Sequence, residues 1–140
     1  MGLGIPLNQT LSKEKCMTLR KQGYFKEMYG GDESDPSIWD HIKSEPYQQE
    51  EKIINYLDSG VVIVACGGCI QDIINPDNGM AGCPDLKTDG IWFWSGELSY
   101  YVRRYHIKLS DQFISTMIEN NWIVDGDLEV DFDNVEFVKE

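Results

Sequence analysis

The sequence predicts an α+β fold, a small mixed or antiparallel sheet with about five helices packed around it, and three observations carry that prediction. The run Val61-Val62-Ile63-Val64-Ala65 is apolar and mostly β-branched, the composition of a strand buried at the centre of a sheet. Thr88-Asp89-Gly90 leads into Ile91-Trp92-Phe93-Trp94, a turn signal followed by a strand with large side chains on both faces. Beyond it, Leu98, Tyr101, Val102 and Tyr105, then Phe113, Ile114, Met117 and Ile118, recur at helical spacing. Those are the apolar stripes of two amphipathic helices.

The elements follow in order. Residues 1–9 read as an irregular arm. Thr10 or Ser12 is placed to cap a first helix running to about Gln22, with Gly23 as its stop. The stretch from Tyr24 to Asp35 is aromatic and then turn-rich, and Gly30-Gly31 breaks any helix there. Asp35-Pro36 begins a second helix, with Asp as N-cap and Pro at the first helical position. It presents Ile38, Trp39 and Ile42 and must end before Pro46. Tyr47 to Ser59 is the third helix, burying Ile53, Ile54 and Leu57 and stopping at Gly60. The strand at Val61 comes next, ended by Gly67-Gly68, and Pro76 to Pro84 is a loop. Ser95 caps the helix from Gly96 to about His106, and Ser110 caps the last helix, which ends at Asn120-Asn121. Leu128, Val130 and Phe132 alternate with Glu129, Asp131 and Asp133. That alternation predicts a half-exposed strand with an acidic outer face, folding back at Asp133-Asn134 onto Val135 to Val138.

A chain of 140 residues is expected to form one domain over 1–140, able to bury about 70% of the surface its unfolded form exposes. Charge narrows the partners it can have. Twelve Lys and Arg stand against 24 Asp and Glu, a net charge of −12. Such a surface repels nucleic acid and anionic membranes and speeds encounters with basic proteins. The excess is concentrated late: from Glu119 to Glu140 there are eight carboxylates and one lysine. Asp125, Asp127, Glu129, Asp131 and Asp133 are therefore candidate partner-binding residues, with a solubilising surface as the alternative. The N-terminus lacks the basic and apolar segments of a signal peptide. Four cysteines are too few for a secreted disulfide framework in a chain this long, so the cytosol is the expected location.

Chemistry-bearing motifs are sparse. Cys66-Gly-Gly-Cys69 has the spacing of half a zinc site, with Cys83 as a third ligand and His106 or His41 as a fourth, or of a redox pair. Against both stands a plain reading, two small cysteines at a strand end with glycines that allow a sharp bend. A second tight ligand pair is missing from the sequence, and the glycines disfavour the helix that follows a thioredoxin-type motif. No Gly-rich phosphate loop, nucleophile elbow or helical His pair occurs. His41 and His106 have no partner fixed by spacing. The expected protein is accordingly not an enzyme and uses no cofactor. Trp92, Trp94 and Tyr101 lie in a dense aromatic segment with two readings, core packing or anchors at an interface.

One segment carries a resemblance. Thr88-Asp89-Gly90-x-Trp92-x-Trp94, followed by Leu98-x-Tyr100-Tyr101-Val102-x-x-Tyr105 and an amphipathic helix, resembles a signature found in small bacterial proteins. Some proteins of this type serve as immunity proteins in contact-dependent inhibition and related polymorphic toxin systems. The similarity covers roughly Glu51 to Trp122 and carries over no catalytic residue. It implies a bacterial protein that binds and neutralises the C-terminal domain of a cognate toxin, many such toxins being basic nucleases. The alternative is a small zinc-binding or thiol-based module built on Cys66, Cys69 and Cys83.

Overall fold

The computed structural model describes residues 16–139. Among these residues seven strands run in chain order: β1 (Met17–Lys21), β2 (Val61–Val64), β3 (Ile70–Gln71), β4 (Met80–Gly82), β5 (Leu86–Thr88), β6 (Trp92–Ser95) and β7 (Val135–Val138). Five of them form a sheet in the order β2-β5-β6-β1-β7, and β3 and β4 form a separate two-stranded sheet. Pairing is antiparallel from β2 through β5 to β6 and parallel from β6 through β1 to β7. The α+β class and the mixed sheet are as the sequence predicts.

The helix count is not. Among the described residues there are three α-helices, α1 (Glu50–Asp58), α2 (Leu98–Tyr105) and α3 (Asp111–Glu119), and three short 3-10 turns. The helix expected up to Gln22 is in its described part a strand: β1 lies between β6 and β7 and bonds to both. Met17 and Leu19 share one face there, a period of two that outweighs the local helix signal. The rest of that expectation, residues 10–15, lies outside the described residues. The helix expected after Pro36 is a single 3-10 turn, Ile38–His41, that buries Ile38 and leaves Trp39 and Ile42 exposed. It ends because the backbone finds other partners. Lys43 N–H donates to Tyr105 O at 3.2 Å and Lys108 N–H to His41 O at 2.8 Å, tying this segment to the end of α2.

Two strands also differ. Val61–Val64 is an edge strand, not a central one, and leaves Val62 46% exposed; a continuous apolar run does not say how many neighbours a strand has. The segment from Leu128 to Phe132 is not a strand at all. Asp125 Oδ1 accepts from Asp127 N–H at 2.9 Å and Asp131 Oδ1 from Asp133 N–H at 3.0 Å. Each carboxylate draws the backbone into a turn and removes a donor from any ladder. The chain then enters β7, which pairs with β1 in parallel instead of folding back as a hairpin.

Side-chain alternation on β6 divides the interior. Trp92 and Trp94 point into the main core with α1, α2 and α3, which contribute Ile53, Tyr56, Leu98, Tyr101, Phe113 and Met117. Phe93 faces the other way, into a smaller cluster with Leu19 and Tyr24 that contains no helix residue. The turn before β6 is built as its sequence requires: Gly90 has φ +95°, Asp89 Oδ1 accepts from Ile91 and Trp92 N–H, and Thr88 Oγ1 accepts from Gly90 N–H. Gly60, the stop after α1, is also a spacer, since a Cβ there would lie 2.6 Å from the Trp94 ring. No helix among the described residues is long and apolar enough to cross a membrane.

Candidate functional site

The acidic residues singled out by sequence share one surface segment, the irregular connection from α3 to β7. Asp125, Asp127, Glu129, Asp131 and Asp133 are all exposed. Among the described residues none of them forms an ion pair. They divide by role. Asp125 and Asp131 hold the two turns, and Asp131 Oδ2 also accepts from Asn134 Nδ2 at 2.7 Å. Asp127, Glu129 and Asp133 hold no turn with their side chains, so they are the ones a partner would meet at least structural cost.

The segment is anchored at intervals. Val124 is buried, and Leu128 lies over the β5–β6 turn, within 3.4 Å of where a Cβ on Gly90 would sit. The Phe132 ring packs on Phe137 of β7 at a centroid distance of 5.7 Å. The segment also exposes apolar surface: Ile123 is 67% and Phe132 56% accessible. Exposed carboxylates and large exposed apolar side chains thus occur along one segment, the two kinds of group that protein interfaces combine.

The aromatic candidates lie elsewhere. Trp92, Trp94 and Tyr101 are in the core, at 6%, 0% and 0% exposure, and do not join the acidic segment. Trp92 Nε1–H donates to Thr116 Oγ1 at 2.9 Å and Trp94 Nε1–H to the Leu57 carbonyl at 3.1 Å, while Tyr101 OH accepts from Ile73 N–H at 3.0 Å. Each polar handle is satisfied internally, so these residues hold the fold and are out of a partner's direct reach. The core reading of that segment is the one that applies.

The cysteines are brought together differently from their motif. Cys69 Sγ meets Cys83 Sγ at 3.2 Å, whereas Cys66 is held by its backbone N–H on Asp85 Oδ1 at 2.8 Å. No group of three or more His, Cys, Asp or Glu side chains among the described residues is placed to hold a metal ion. Both histidines have structural partners, His41 Nδ1 with the Ser37 carbonyl at 3.0 Å and His106 Nδ1 with Glu50 at 2.9 Å.

Two polar assemblies escaped the sequence reading. Asp72 is fully buried and accepts hydrogen bonds from Tyr105 OH (2.6 Å), Tyr100 OH (2.8 Å), Asn78 Nδ2 (3.1 Å) and the N–H groups of Ile74 and Asn75. Burial alone would raise its pKa, but these bonds, led by Tyr105, outweigh it and bring the group down to about 2. Beside it, Tyr100, Tyr105, Arg103 and Arg104 line an open groove of about 660 Å³. The second assembly is a cleft of about 380 Å³ beyond the carboxyl ends of β1 and β7, lined in part by Lys21, Gln22, His41, Lys108 and Lys139. Lys21 pairs with Asp35 and Lys139 with Asp32, so the cleft is less positive than its lysines imply. Positions spread from 21 to 139 give no linear signal of such a cleft; only the pairing of β1 with β7 makes it.

No family model, curated protein or solved structure matches this chain.

Proposed function

We propose that this chain is an immunity protein that binds and neutralises the C-terminal domain of a cognate toxin, a basic nuclease, in the cytosol. The observation that carries the reading is the segment 123–134, which exposes five carboxylates together with the side chains of Ile123 and Phe132. Charge of one sign on an exposed surface accelerates docking to a basic partner, and the exposed apolar side chains supply burial once docked. The net charge of −12 adds a long-range field of the same sign. The resemblance over residues 51–122 supports the same class of function, and the contact surface belongs to the neighbouring segment.

The test begins with a tagged pull-down from the source cells, washed at low and then high salt, with bound proteins identified by mass spectrometry. A single stoichiometric basic protein whose nuclease activity the chain abolishes is the expected result. An empty bait from cells shown to express the toxin overturns the reading. With the partner in hand, reversing Asp127, Glu129 and Asp133 to Lys is expected to slow association roughly tenfold and flatten its salt dependence. Unchanged association kinetics would move the contact away from this segment.

A further inference from the structure

Cys69 immediately precedes β3 and Cys83 immediately follows β4 of the small sheet. Ile70 pairs with Gly82 in the antiparallel β3–β4 ladder, so Cys69 and Cys83 face one another at the next rung, just beyond the ladder's end. Their sulfurs are 3.2 Å apart, closer than two unbonded sulfurs ordinarily sit, and a disulfide needs them to approach by only about 1 Å more. Both thiols are free; Cys69 is exposed and Cys83 half-buried. The surroundings fix one and leave the other accessible. The Cys83 carbonyl packs under Gly96, where a Cβ would lie 2.6 Å away, and Pro84 after it is buried. Cys69 follows Gly67 and Gly68, which have no neighbouring atom within 4 Å of a built Cβ.

We propose that Cys69 and Cys83 form a reversible intramolecular disulfide by exchange with a small-molecule disulfide of the glutathione type, closing the β3–β4 hairpin covalently. Cys69, the accessible member, attacks as thiolate. It forms a mixed disulfide with one half of the small molecule and expels the other half as a thiolate, which takes a proton from solvent. Cys83 then loses its proton to solvent and attacks the Cys69 sulfur. The protein S–S bond forms, the mixed disulfide breaks, and the second small thiol leaves. Two protein thiols are oxidised and one small disulfide is reduced to two thiols. The hydrogen bond that Cys83 shares with Cys69 pushes the Cys83 thiol up, consistent with Cys69 as the first nucleophile. The bond would brace the hairpin that carries Asp72 and, through it, Tyr100 and Tyr105. This inference is independent of the partner proposal.

The experiment equilibrates the reduced full-length chain in glutathione buffers of stepped oxidised-to-reduced ratio, quenches with acid, alkylates and weighs the intact protein. Alkylatable thiols are expected to fall from four to two in one step, to return with dithiothreitol, and to map to a Cys69–Cys83 linked peptide. Cys66→Ser should still lose two thiols to one internal bond over the same ratios, whereas neither Cys69→Ser nor Cys83→Ser should form an internal disulfide, the latter stopping at a glutathione adduct on Cys69. Four alkylatable thiols at the most oxidising ratio, a link through Cys66, or a persistent glutathione adduct with Cys83 still free would each overturn the proposal.

Discussion

Glu97 is the residue whose environment fits it least. It is 1% exposed, its Oε1 has no hydrogen-bond partner among the described residues, and its other oxygen receives only a 3.4 Å bond from Ser95 Oγ. Burial pushes its carboxyl up to about 7. Between the unfolded value near 4.5 and the folded value, the native state binds the extra proton. Stability therefore falls as pH rises through that window, and the loss is complete above it. Glu97→Gln should raise stability by under about 1 kcal/mol at pH 5 and by about 3 kcal/mol at pH 8, at 1.36 kcal/mol per pKa unit. Urea unfolding at the two pH values checks this, and an equal effect at both would refute the assignment. Asp72 behaves in the opposite sense. Its folded pKa is depressed to about 2 from 3.8, so its contribution is present above the unfolded value and disappears as pH falls from there toward 2. Asp72→Asn should cost roughly 2 to 4 kcal/mol at pH 7, because an amide cannot accept from five donors. It should also flatten the acid limb of the stability profile below pH 4.

At the scale of elements, the β5–β6 turn carries most of the local information. Thr88 is fully buried, its hydroxyl donates to the Trp92 carbonyl at 2.6 Å, and Asp89 Oδ2 accepts from Tyr56 OH on α1 at 2.6 Å. One carboxylate thus closes the turn and ties it to a helix. Asp89→Ala should cost about 2 to 3 kcal/mol, whereas Asp89→Asn, which keeps an acceptor for Ile91 and Trp92, should cost about half as much. Thermal melts of the two variants decide it; equal losses would mean that the turn is held by Gly90 and pairing alone. This hairpin was legible in the sequence because turn chemistry and strand alternation are local, and so was the capping of α3 by Ser110, whose Oγ accepts from Phe113 N–H at 3.1 Å. What stayed hidden depends on distant partners. Met17–Lys21 is a strand because β6 and β7 flank it, and Val61–Val64 is an edge because nothing in its own residues reports the missing neighbour. The candidate site divides in the same way. The exposed carboxylates could be read from a run of charge, but the Cys69–Cys83 pairing required a ladder that no spacing announces.

For the whole molecule the governing quantity is charge. With 24 acidic and 12 basic side chains, mutual repulsion opposes the compact state. Few ion pairs offset it: among the described residues only Lys21–Asp35, Arg103–Glu51 and Lys139–Asp32 come within range, with His106–Glu50 a fourth only when the imidazole is protonated. Arg103–Glu51 and Lys139–Asp32 are more than half exposed on both sides, and exposed pairs contribute little. Screening therefore relieves more repulsion than it removes attraction. Raising NaCl from about 10 mM to about 0.5 M shortens the Debye length from roughly 30 Å to under 5 Å. The expected gain is about 1 kcal/mol, a rise in melting temperature of roughly 3 to 5 °C for a chain of this size. The same screening should weaken capture of the proposed basic partner, since the carboxylates that repel one another are those proposed to attract it. Stability and association are thus predicted to move in opposite directions along one salt series. A melting temperature that falls with salt would show that the half-buried Lys21–Asp35 pair outweighs the global field, and the acidic surface would then lose the role proposed for it, a cost the fold carries for binding.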